Sequence, residues 1–137
     1  MTDDQKTMVR NSYASVSPNA PEVAAMFYQR LFELDPGLRP LFKGDMAEQG
    51  RKLMAMIGTA VANLHQIDTI VAAVRQLGER HHSYGVKAAD YDTVGAALLW
   101  TLEQGLGDGF TPPVREAWTA CYGTLAGVMK EQAAATT

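Results

Sequence analysis

At 137 residues, 47% hydrophobic and 20% charged, the chain has the size and balance of one compact water-soluble domain spanning residues 1–137. Its formal net charge of -3, with 12 basic residues scattered along the sequence, argues against nucleic acid and against a polybasic membrane surface as partners. The acidic start Thr2-Asp3-Asp4 is unlike a signal peptide and no apolar run is long enough to span a bilayer, so a cytoplasmic protein is expected.

Apolar periodicity near 3.6 residues recurs throughout, and no segment alternates like a strand. Thr2 followed by Gln5 reads as a capping box that opens a first helix carrying Met8, Val9 and Tyr13. Ser17-Pro18 restarts the chain, and a second helix carries Val23, Met26, Phe27, Tyr28, Leu31 and Leu34. Asp35-Pro36 is an N-cap with proline at the first helical position, starting a short helix through Leu38 and Leu41. Gly44-Asp45 breaks and caps the chain ahead of a long helix, with Leu53, Ile57, Ala60, Val61 and Leu64 on one face and His65 at its end.

Asp68 is expected to cap the next helix, which runs through Ile70, Val74 and Leu77 to His81 and is stopped by Gly85. Two further helices carry Tyr91, Val94, Leu98 and Leu102, then Trp118, Cys121, Tyr122, Leu125 and Met129, the last opening at Thr111-Pro112-Pro113. Cys121, the single cysteine, excludes an internal disulfide and a thiolate zinc site and reads as a buried apolar filler. Six or seven helices of unequal length suit an orthogonal all-α fold better than a uniform bundle.

Three polar residues interrupt these apolar stripes. His81 continues the line of Ile70, Val74 and Leu77, so a nitrogen donor is aimed inward from the last turn of a helix. It reads either as a core histidine hydrogen-bonded to backbone or as a ligand to the metal of a large buried cofactor. Gln49 lies on the stripe of Leu53, Met56 and Ala60, where the alternative is a solvated first-turn glutamine. Tyr28, beside Leu31 and Phe32, needs a partner for its hydroxyl, either structural or functional.

In order and spacing these residues resemble the globin family over nearly the whole chain, most nearly the bacterial single-domain haemoglobins, with neuroglobin-like features. The matching runs are Leu31-Phe32 to Pro36, Leu41-Phe42, Gln49-Gly50-Arg51-Lys52-Leu53-Met54, Leu77-Gly78-Glu79-Arg80-His81 and Tyr84-Gly85-Val86. Tyr91 to Val94-Gly95, Phe110-Thr111-Pro112, Ala117-Trp118 and Tyr122-Gly123 complete them.

The resemblance implies a globin fold of six to eight helices around a haem pocket, with haem b (iron protoporphyrin IX) as cofactor. It makes His81 the proximal iron ligand and Phe42 the residue that wedges the haem at the inter-helical corner. Leu53, Leu77, Val86, Val94 and Leu98 match the apolar wall, and Tyr28 and Gln49 the two distal positions facing the bound gas. Lys52 and Arg51 become candidate partners for the propionates, the alternative for each being a solvated helix charge.

Two departures from the pattern qualify the resemblance. Gln49 replaces the distal histidine, and His65, 16 residues further on, would lie roughly 24 Å along a continuous helix, so ligation by two histidines has no donor. Tyr91 matches the tyrosine of a proximal network in flavohaemoglobins, but the carboxylate position is Ala133, with Glu131 two residues away. His81 is then a weaker electron donor, leaving at most weak peroxidase activity. The implied function is tight binding of dioxygen by ferrous iron in a monomer, with carbon monoxide and nitric oxide as further ligands. Alternatives are a nitric oxide dioxygenase served by a separate reductase, and a gas sensor or haem-free interaction domain.

Overall fold

In the computed structural model the described residues are 2–42, 45–83 and 86–136, with the side chains of 67–69, 79, 81–83 and 131–136 outside the description. They form α1 (Asp3–Val16), α2 (Ala20–Leu34), α3 (Met46–Ala62), α4 (Val71–Ser83), α5 (Ala88–Leu106) and α6 (Pro112–Thr136). Short 3-10 turns separate several of them, and there is no strand among the described residues.

Local chemistry sets most of the helix starts. Thr2 Oγ1 accepts from the Gln5 amide at 3.1 Å while the Thr2 amide donates to Gln5 Oε1 at 3.0 Å, the reciprocal box expected for α1. Asp45 Oδ1 accepts from the Ala47 amide at 2.9 Å and so caps α3. Lys87 and Asp90 begin α5, the Lys87 amide donating to Asp90 Oδ2 at 2.8 Å. Thr111 Oγ1 accepts from the Val114 amide at 3.4 Å ahead of the two prolines that open α6.

The elements between the helices depart from the sequence expectation in identifiable ways. The short helix after Asp35 is a 3-10 turn, Pro36–Leu41, because Pro40 inside it cannot donate an α-helical hydrogen bond. The long helix α3 ends at Ala62, and His65 lies in a following 3-10 stretch, Leu64–Thr69, which kinks at Gln66 (φ -138, ψ 46). α4 therefore starts at Val71 and not directly after Asp68, whose side chain lies outside the description, as does Gly85. Leu34 is 42% exposed, since α2 ends there and the chain turns away, and Met56 in the middle of α3 is exposed as well.

α6 packs on α1 and α4, while α2 packs on α3 and α5. Where α1, α5 and α6 meet, Val9, Val16, Leu102, Trp118 and Cys121 are buried in one core. Each large apolar side chain buried in this way stabilises by about 1.5–3 kcal/mol. The buried polar pair Ser12 and Trp118 is hydrogen-bonded within this core. Trp118 Nε1 donates to Ser12 Oγ at 2.8 Å, and Ser12 Oγ donates in turn to the Met8 carbonyl at 2.7 Å.

Candidate functional site

α2 and α3 come close together at Gly50, where an added Cβ would lie 2.9 Å from the Ala24 Cβ. That approach brings Tyr28 of α2 to the first turn of α3. The Tyr28 hydroxyl donates to the main-chain carbonyl of Gln49 at 3.3 Å, and the Gln49 side chain is half-buried beside it. Burial pushes the Tyr28 phenol up to about 12, so it keeps its proton at neutral pH.

The Tyr28 ring is held on three sides. Phe27 meets it edge-on at 5.1 Å, Phe42 edge-on at 5.4 Å, and Phe32 stacks at 6.2 Å. Edge-to-face pairs of this kind add about 0.5–1.5 kcal/mol beyond burial. Around this group Leu31, Leu38 and Ala97 are buried, and Phe42, Leu53, Val94 and Leu98 pack against it while remaining only partly buried.

A second apolar group lies where α4, α5 and α6 meet. Tyr91, Ala126 and Met129 are buried there, with Val74, Leu77, Val86 and Tyr122 packed against them. The Tyr122 hydroxyl donates to the Tyr91 carbonyl at 2.7 Å, and its ring lies so near Gly95 that a Cβ there would meet it at 2.9 Å. Burial, and secondarily Tyr91 and Asp92, raise the Tyr122 phenol well above its ordinary value. The Lys130 ammonium sits 5.9 Å from the Tyr91 ring centre and 3.7 Å from Asp92.

The structure thus brings together Tyr28, the Gln49 backbone, Phe42, Leu53, Val94 and Leu98 on one side, and gathers Leu77 and Val86 with Tyr91 on the other. His81 falls in α4 one turn beyond Leu77, and its side chain lies outside the description. The side chains at Glu131 and Ala133 of α6 also lie outside it. Lys52 points outward, 69% exposed and 3.7 Å from Glu48, and Arg51 is exposed. Sequence reasoning missed the aromatic packing of Phe27 and Phe32 on Tyr28 and the hold of Tyr122 on Tyr91. A glycine inside a helical apolar stripe, as at Gly50 and Gly95, is the signal that marks both crossings.

The chain belongs to the globin family, whose model matches residues 25–129. It is 29% identical to Neuroglobin-2 of Oncorhynchus mykiss over 143 residues, covering 94% of this chain and 90% of that protein. With neuroglobin of Dissostichus mawsoni it shares 29% over 145 residues, covering 96% and 91%. Its fold is that of an engineered carbene transferase described as a putative nitric oxide dioxygenase from Rhodothermus marinus, with TM-score 0.90 and 24% identity over 99% of this chain and 95% of that one. A bacterial globin from Campylobacter jejuni superposes with TM-score 0.85 and 23% identity, covering 98% of each chain. Globins typically bind haem and, with it, small gases such as dioxygen. Among the described residues no helix is long and apolar enough to cross a membrane.

Proposed function

We propose that this chain, acting as one globin domain over residues 1–137, is a cytoplasmic, monomeric haem b protein that holds dioxygen tightly. His81 would hold the iron, Tyr28 and Gln49 would be the polar residues facing the gas, and Phe42, Leu53, Leu77, Val86, Val94 and Leu98 would form the wall. The observation that carries this reading is the meeting of Tyr28 with Gln49 above an apolar group. The residues fit a flat apolar cofactor, because those six large apolar side chains are all only partly buried by protein alone. Such a group would cover what the chain leaves uncovered.

When bound, ferrous haem supplies reversible gas binding, and shifts electron density onto dioxygen more than onto carbon monoxide. The protonated Tyr28 hydroxyl and the Gln49 carboxamide can each donate one hydrogen bond to a partly negative ligand. The apolar wall excludes water and so raises the value of those bonds. Arg51, and Lys52 in exchange for its exposed pairing with Glu48, would be the candidate partners for propionates at the rim.

The test is the absorption spectrum of ferric, ferrous and carbonmonoxy forms in the native protein and in His81→Ala. A strong Soret band lost or shifted in the variant supports the reading. A colourless preparation that cannot take up hemin, as a haem-free interaction domain would be, overturns it.

A second reading draws on the likeness to the putative nitric oxide dioxygenase from Rhodothermus marinus. Dioxygen held in this pocket would combine with nitric oxide and one electron to give nitrate, the electron coming from a separate reductase. Sustained nitrate formation with an electron donor distinguishes this from storage or delivery, in which the ferrous-oxygen form persists for hours.

A further inference from the structure

Arg39 lies on the surface of the 3-10 turn Pro36–Leu41, in a place where an arginine is ordinarily just solvated. Its contacts are not those of a free surface charge. Arg39 Nη1 donates to the Phe42 carbonyl at 3.1 Å, while the Phe42 amide donates back to the Arg39 carbonyl at 3.1 Å. The same Nη1 reaches Met46 Sδ at 3.8 Å, and the guanidinium carbon stands 5.4 Å from the centre of the Phe32 ring. Phe32 meets Phe42 edge-on at 5.5 Å, and Phe42 meets Tyr28 edge-on at 5.4 Å.

One guanidinium therefore grips Phe42 twice, by its main chain directly and by its ring through Phe32. This matters because Phe42 stands where the turn ends, in extended backbone (φ -102, ψ 106), and the guanidinium holds its carbonyl there. We propose that Arg39 is a positioning residue for Phe42, fixing from the protein surface the aromatic side chain that clamps the cofactor and abuts Tyr28. The task suits arginine and not lysine, since a planar, delocalised cation can donate in its plane while its face lies on a ring. Sites held to a fraction of an ångström depend on such supporting contacts.

This inference rests on the haem reading, and the experiment separates the two. The native protein, Arg39→Met and Arg39→Lys are loaded with hemin, and transfer of hemin to an excess of a high-affinity apoprotein acceptor is timed. Proton NMR of the ferric cyanide forms gives the ratio of the two in-plane orientations of the cofactor. Arg39→Met is expected to lose hemin several-fold faster and to change that ratio, with Arg39→Lys shifted in the same direction by less. Urea midpoints of the haem-free chains provide the control for a merely structural role.

Loss rates and orientation ratios equal to the native protein's overturn the proposal. So does a fall in the haem-free urea midpoint with the orientation ratio unchanged. Should Arg39→Met not fold, Arg39→Lys decides by the same two readouts. A native protein that takes up no hemin ends the haem reading itself, and this inference with it.

Discussion

The hydroxyl of Tyr28 donates to the main-chain carbonyl of Gln49 across 3.3 Å, joining the middle of α2 to the first turn of α3. A phenol has one proton to donate, and this bond is long for an O–H donor. Tyr28 can therefore turn that proton toward a better acceptor at little cost. The contact ties the two proposed gas-facing residues to each other before any ligand arrives.

Oxygen release follows from that relationship. Tyr28→Phe and Gln49→Leu should each speed it by roughly five-fold, for a net bond of about 1 kcal/mol, and carbon monoxide release by less. Stopped-flow measurement of both gases checks this. Unchanged rates in both variants would mean that neither side chain faces the ligand.

The close approach at Gly50 bears on stability. With only 2.9 Å between an added Cβ and that of Ala24, Gly50→Val must push α2 and α3 apart. Overpacking of this kind costs about 1–3 kcal/mol, to be read from urea unfolding. The same variant should disturb oxygen release, because the Tyr28 hydroxyl loses its register with the Gln49 carbonyl.

Ser12→Ala tests the paired polar core. It would leave the Trp118 indole N–H, now 2.8 Å from Ser12 Oγ, without a partner in a buried place. A loss of about 1–3 kcal/mol is expected by denaturant titration. A loss near zero would mean that water or a shifted neighbour replaces the hydroxyl.

Alkaline sensitivity follows from the buried acids. Burial raises the phenols of Tyr28 (to about 12), Tyr13 and Tyr91 above the ordinary 10.0, and the Cys121 thiol from 9.0 to about 11. The folded chain thus holds protons that the unfolded chain would release. The contribution to stability is whole below about pH 9 for Cys121 and pH 10 for Tyr28, and is lost as pH rises through their folded values of about 11 and 12, with Tyr13 and Tyr91 acting in the same direction. Urea midpoints should fall across that range, and Tyr28→Phe and Cys121→Ser should each flatten their part of the fall. In the native state Cys121 should also resist thiol reagents at neutral pH.

Much of the scaffold could be read from local chemistry. Thr2 with Gln5, Asp45, and Thr111 with its two prolines mark helix starts that depend only on neighbours in sequence. The end of α3 was not legible in the same way, since the apolar spacing of Val61 and Leu64 runs on through the 3-10 stretch beyond Ala62. Leu34 fits the helical stripe, yet exposure depends on what covers a position, which periodicity does not record. Tyr28 and Gln49 stand out singly as misfits, and only the family resemblance paired them across 21 residues. Arg39 gave no signal, because an arginine in a turn looks the same whether it is solvated or bonded to its neighbours.

α5 supplies Tyr91 to one apolar group and Val94 and Leu98 to the other, while the Tyr122 ring sits against Gly95 with no room for a methyl group. The rod carrying these residues has no slack on the side of α6. Accommodating a bulkier planar guest would therefore mean trimming Val94 or Leu98, which lie four positions apart and roughly 6 Å along the axis, and leaving the helix where it is. Remodelling this protein as a scaffold would begin at those two branched side chains.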